Sequence, residues 1–142
     1  MLVLPENSTD TEILDAVRAF VELLAEENYV AAYEHFLPEP DRELTPKVIK
    51  ALIEGYGYAE PVEGNDEPPL QVTSLSQMTE PEPKDRQQVE WFGFHAARDP
   101  RILGMAHYDL PLNGEWSDLT AIFDITKVEG GIALSLDDIH VL

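Results

Sequence analysis

The stretch Asp118-Leu119-Thr120-Ala121-Ile122-Phe123-Asp124-Ile125, followed after Glu129-Gly130-Gly131 by Ile132-Ala133-Leu134-Ser135-Leu136, decides the fold. Side chains of an extended chain alternate between two faces, so Leu119, Ala121, Phe123 and Ile125 share one face and Asp118, Thr120, Ile122 and Asp124 the other. The odd-numbered face is the more apolar, and Ile132, Leu134 and Leu136 form its counterpart in the next strand. Between the two, Glu129-Gly130-Gly131 predicts a tight hairpin, because glycine supplies the positive φ such turns require. Working outward, Leu70–Leu75, Gln88–Ala96 and Leu103–Leu110 join Asp118–Val128 and Gly131–Val141 as candidate strands. Thr79–Asp85, Arg98-Asp99-Pro100 and Asn113-Gly114 separate them with turn-forming residues.

Before residue 58 the period is helical. Thr9-Asp10-Thr11-Glu12 fits a capping box, and Ile13, Val17, Phe20 and Leu24 recur at helical spacing, predicting a helix over about residues 10–27. Asn28 then caps a short helix from Tyr29 to Leu37, which Pro38-Glu39-Pro40-Asp41 ends. Thr45-Pro46 opens a third helix, with Gly55 or Gly57 as the left-handed exit. Residues 58–69 hold acidic clusters, prolines and a Gly-Asn pair, and read as a linker. The expected fold class is α+β, three N-terminal helices packed on a curved antiparallel sheet of four to five strands, in a single domain over residues 1–142 with 1–9 as a lead-in.

The 142 residues carry 28 acidic and 9 basic side chains, a net charge of −19, with no cysteine. The acid is not a tail: residues 1–70 contribute 4 − 16 = −12 and residues 71–142 contribute 5 − 12 = −7. Such a surface repels phosphate backbones and anionic bilayers, which argues against nucleic-acid and membrane partners; it attracts a basic one, although keeping a monomer or dimer soluble accounts for the charge without any specific partner. The absence of cysteine excludes disulfides, thiol nucleophiles and thiolate metal ligation. Met1-Leu2-Val3-Leu4 lacks the length and basic flank of a secretory signal, and no run approaches the roughly 18 apolar residues of a membrane span, so a cytoplasmic setting is expected.

Four histidines are present, His35, His95, His107 and His140, at spacings that match no local metal motif; neither a metal nor a cofactor is expected. His107 and Asp109, two apart on a strand, share a face, a pattern that can orient an imidazole for acid–base chemistry. With His95 from a neighbouring strand, they are the candidate catalytic residues. Trp91, in the aromatic run Trp91-Phe92-Gly93-Phe94-His95, and Tyr29 and Tyr33 from a helical wall are the candidate ligand-binding residues. The bland reading, in which the His–Asp pair is a hydrogen-bonded feature of a half-solvated sheet, is favoured.

Gly114-Glu115-Trp116-Ser117-Asp118-Leu119-Thr120, Gly130-Gly131 and Leu136-Asp137-Asp138-Ile139-His140-Val141-Leu142 resemble the end of a small bacterial domain family without an established activity, in which a Ser-Asp-Leu-Thr strand precedes a closing Asp-Asp-aliphatic-His-Val-Leu. Ser117, Asp118, Thr120, Asp137, Asp138 and His140 carry the likeness. Structural pairing of Asp118 and Asp138 is favoured over catalysis. The order of elements also resembles the cystatin-like or NTF2-like cone, whose members include isomerases, dehydratases and non-enzymatic binding or dimerisation domains. The expected function is non-enzymatic protein binding, to a basic partner in an immunity-like role or to a second copy as a homodimer. The alternative is small-molecule binding or isomerase/dehydratase-like chemistry in an NTF2-like pocket.

Overall fold

Thr9 starts the first helix as its sequence context predicts. Its hydroxyl accepts the Glu12 N–H at 3.2 Å while the Glu12 carboxylate accepts the Thr9 N–H at 3.2 Å, closing the capping box of α1, Asp10–Ala25. In this computed structural model, which describes residues 1–37, 44–58, 69–92 and 99–141, the Asn28 side chain caps α2, Tyr29–His35. Thr45 caps α3, Pro46–Glu54, with Pro46 in the first turn, where a missing N–H costs no bond. The left-handed exit falls on Tyr56 (φ 52°) and Gly57 (φ 95°), whereas Gly55 keeps a negative φ. Pro38–Asp41, the core of the 58–69 linker, the half of the Gln88–Ala96 strand from Gly93 onward, and Leu142 lie outside the described residues.

Four strands, β1 (Gln88–Trp91), β2 (Ile102–Leu112), β3 (Glu115–Val128) and β4 (Gly131–Val141), follow as an antiparallel meander in the order β1-β2-β3-β4. Asn113 and Gly114 both take positive φ between β2 and β3, and Glu129-Gly130 closes the β3–β4 hairpin, in which Val128 faces Gly131. The chain is therefore α+β, with three α-helices on a four-stranded sheet among the described residues.

Leu70–Leu75 is not a strand. Only Val72 bridges to Leu112, and the physical reason is Pro111. Thr73 donates its N–H to the Pro111 carbonyl at 2.9 Å, but proline has no N–H to return, so the ladder cannot propagate. Beyond it, Glu22 of α1 accepts from the Ser74 hydroxyl (2.9 Å) and the Leu75 N–H (2.8 Å), and the chain turns into a short 3₁₀ helix, Leu75–Gln77.

The odd-numbered face of β3 meets the helices. Leu119, Ala121, Phe123 and Ile125 are fully buried, and Phe123 packs against Phe20 of α1 (centroids 5.5 Å apart, edge-on) and Phe36 (5.0 Å). Their partners across β4 are Val141, Ile139, Leu136 and Leu134, the first two in register only because of an irregularity at Asp137. Phe123 pairs with Leu136 but Ile122 pairs with Asp138, leaving Asp137 as the extra residue of a bulge. Without it, Asp138 and His140 would point into the core; with it they turn to the opposite face and Ile139 takes the buried position.

The outer edge of β4 is partly covered. Leu4 exchanges two backbone bonds with Ile132 (2.8 and 2.9 Å) and Leu37 donates to the Leu134 carbonyl at 2.8 Å, so the N-terminal lead-in is tied to the sheet. A Cβ on Gly131 would collide with the Leu4 carbonyl, which explains why glycine stands there. In urea unfolding, Phe123→Ala is expected to cost about 3–5 kcal/mol through its cavity, and Lys127→Ala, at the exposed end of the same strand, less than about 0.5 kcal/mol; equal costs would contradict this placement of the core.

Candidate functional site

His107 and Asp109 do share a face, and it is the one turned away from the helices. Tyr108 between them is fully buried on the helix side. Across the strands, His107 pairs with Ile122 and Ile122 with Asp138, while Asp109 pairs with Thr120 and Thr120 with His140. Two adjacent rows thus bring two His–Asp pairs onto one sheet face, separated by β3.

Asp109 is 3% exposed, and its carboxylate is already held. Arg86 Nε–H donates to one oxygen at 2.7 Å and the Thr120 hydroxyl to the other at 2.6 Å. Its backbone is held as well: β1 begins at Gln88, and the Gln87 side-chain amide takes the next ladder position, accepting the Asp109 N–H (2.7 Å) and donating to the Asp109 carbonyl (3.1 Å). The Arg86 guanidinium is driven further toward its charged form by that hydrogen bond and by the charge of Asp109. His107 gains nothing from this web, and its Nε2 is buried without a hydrogen-bond partner among the described residues. The pair has a shared face but no shared hydrogen bond.

Asp118, Asp138, Ser117 and Asp137 have structural duties. Asp138 accepts the Ile139 N–H at 2.8 Å and meets His140 Nδ1 at 2.5 Å. Asp118 accepts the Tyr56 hydroxyl. Between Asp109 and Pro111 the β2–β3 register slips, and Ser117 repairs it by donating to the Leu110 carbonyl (2.6 Å) and accepting the Leu119 N–H (3.1 Å). Asp137 sits at the β4 bulge.

A second polar centre lies on the helix side. Arg18 of α1 grips Glu82 through two nitrogens (3.1 and 2.6 Å) and Asp15 through a third (2.7 Å), and the Tyr108 hydroxyl donates to Glu82 at 2.7 Å. Burial opposes ionisation of Glu82, but the bonds from Arg18 and Tyr108 outweigh it and hold its carboxyl below the usual range. Burial, then Glu82, pushes the Tyr108 phenol far up. Nothing local in the sequence signals this centre, because Arg18 and Glu82 are 64 residues apart.

His95 lies outside the described residues. Trp91 does not join the His–Asp face: it pairs with Gly104 and donates Nε1–H to Asp10 of α1 at 2.6 Å. Tyr29 and Tyr33 sit on α2, packed against the helix-side core, and burial raises the Tyr29 phenol. The catalytic and ligand-binding candidates are therefore divided between opposite sides of the sheet. Compared with protein-family models, curated proteins and solved structures, the chain has no match.

Two open grooves occur among the described residues. One, of about 400 Å³, runs between the C-terminal half of α1 and residues 71–77 and includes Glu22, Glu26 and Ser74. The other, of about 450 Å³, lies beside β1. Neither includes His107, Asp109 or His140, and no group of three potential metal ligands forms among the described residues.

Truncating Asp109 takes the carboxylate acceptor from the buried Thr120 hydroxyl and the counter-charge from the solvent-exposed Arg86, so Asp109→Ala is expected to cost about 1–3 kcal/mol. His107→Leu is expected within about 1 kcal/mol of the parent chain, since the imidazole nitrogen it removes has no partner. Chemical denaturation checks both, and a strongly destabilised His107→Leu would contradict the geometry. For Glu82, whose native pKa lies below its ordinary value of 4.5, the stabilisation is present above pH 4.5 and lost as pH falls through the native value. Glu82→Gln should therefore flatten the acid limb of the stability–pH curve, and an unchanged limb would contradict the Arg18–Glu82 assignment.

Proposed function

We propose that this chain is a non-enzymatic binding protein that recognises a basic protein. One observation carries the reading: most of the described cations are already matched internally. Arg18, Lys50, Arg86, Arg101 and Lys127 each pair with an acid of the same chain, five of the nine basic side chains. The remaining acid is left for an outside partner, and its field accelerates encounter with a cationic surface. The occupied carboxylate of Asp109 supports binding over acid–base chemistry, because a base is useful only when free to take a proton.

Self-association is the weaker branch, since two copies would oppose −19 with −19. A basic toxin or enzyme, met in the manner of an immunity protein and in the cytoplasm, is the partner class that fits. Among the described residues no helix is long and apolar enough to cross a membrane. The order of helices before a strand meander supports the cystatin-like cone as the scaffold.

Tagged full-length chain, used to capture proteins from its native host at about 50 mM and about 300 mM salt, tests this. The expected result is a reproducible protein of basic isoelectric point, depleted at the higher salt. Recovery of no basic protein at low salt would overturn the reading.

A further inference from the structure

β1 stands at the end of the sheet, so among the described residues one of its edges has no neighbouring strand. Its register decides which backbone groups are open. Phe92 donates its N–H to the Leu103 carbonyl at 2.8 Å, and Gln88, Val89, Glu90 and Trp91 pair in turn with His107, Ala106, Met105 and Gly104. Bonded and non-bonded pairs alternate in an antiparallel ladder, so Gln88 and Glu90 bond to β2 whereas the N–H and C=O of Val89 and Trp91 point away from it. Among the described residues nothing accepts or donates there.

The groove of about 450 Å³ follows this same edge, lined by Asp10, Leu14, Gln87, Gln88, Val89 and Glu90. Leu14 and Val89 provide apolar surface and Asp10 and Glu90 the charge; among the described residues no lysine or arginine lines it. Beside it, Trp91 is 40% exposed and fixed to Asp10 through its indole N–H.

We propose that the β1 edge is a strand-addition site that takes an extended, basic segment of a partner protein. This rests on the reading of a basic partner and specifies how that partner is held. The open backbone of Val89 and Trp91 supplies main-chain hydrogen bonds, and alternation assigns the side chains. A residue beside Val89 points to the helix side and meets Leu14, which suits an aliphatic group. A lysine or arginine beside Glu90 meets its carboxylate on the other face, and one beside Trp91 meets the indole and the Asp10 carboxylate together. A second copy of this chain is the poorer occupant, because β1 paired with β1 sets Glu90 and Asp10 near their own duplicates. The acid on this edge thus blocks self-pairing, the usual hazard of an open strand, while leaving the edge open to a cation-bearing strand.

The experiment titrates the isotope-labelled full chain with an end-blocked nonapeptide of alternating lysine and valine and follows amide hydrogen exchange. Exchange at Val89 and Trp91 is expected to slow about tenfold or more, as for amides drawn into a ladder. Val89→Pro removes an N–H that serves no ladder bond, so the variant should fold and bind the peptide about tenfold more weakly. Glu90→Lys, checked for folding by circular dichroism, should abolish binding by repulsion. Unchanged exchange at Val89 and Trp91 in the presence of bound peptide, no binding at all, or full affinity in folded Val89→Pro would overturn the proposal. If Val89→Pro fails to fold, full affinity in Glu90→Lys overturns it. A basic host protein captured equally by Val89→Pro and the parent chain would sink the edge site and leave the basic-partner reading standing.

Discussion

Phe20 of α1 meets Phe123 of β3 edge-on at 5.5 Å, and Phe36 completes the triangle at 5.1 Å and 5.0 Å. This contact has to hold together a shell in which 28 acids face 9 bases. Each buried aromatic side chain contributes about 2–3 kcal/mol through area removed from water, whereas exposed ion pairs contribute about 1 kcal/mol or less. The core must therefore oppose the self-repulsion, with the surface pairs serving mainly to relieve it locally. Many acids near α1 have such local duties: Glu12 closes the capping box, Glu22 fixes Ser74 and Leu75, and Asp10 holds Trp91.

Most of the architecture is legible in local sequence because its causes are local. The capping box at Thr9, the Pro46 helix start, the alternation along β3 and the glycines of the β3–β4 turn each act within a few residues. What escaped depends on distant neighbours. Leu70–Leu75 has strand composition, but its ladder fails on a proline more than thirty residues away, and Glu22 of another element draws off Ser74 and Leu75. The bulge at Asp137 is likewise a property of pairing, visible in sequence only as two adjacent aspartates where the apolar alternation predicts one inward residue.

The candidate site was legible to the same depth. Strand period alone places His107 and Asp109 on one face, and they share it. Their partners could not be read, because Arg86, Gln87 and Thr120 reach Asp109 from three separate positions of the chain. Those partners change the chemistry: a carboxylate that looks available to orient an imidazole is spent on an arginine and a hydroxyl. His140, beside Asp138 at the end of β4, has the imidazole–carboxylate contact that His107 lacks. The acid excess noted in composition takes on a location through the same reasoning, since internal pairs engage five of the nine cations and the edge of β1 is bordered by Asp10 and Glu90.

The central claim is that an apolar core holds a self-repelling acidic shell. Thermal unfolding at neutral pH tests it most directly as sodium chloride rises from about 0.01 M to about 0.15 M, which shortens the screening length from about 30 Å to about 8 Å. If repulsion among the acids is the dominant surface term, the midpoint rises with salt. A midpoint that falls over that range would mean that surface attractions support the fold, and would contradict the account.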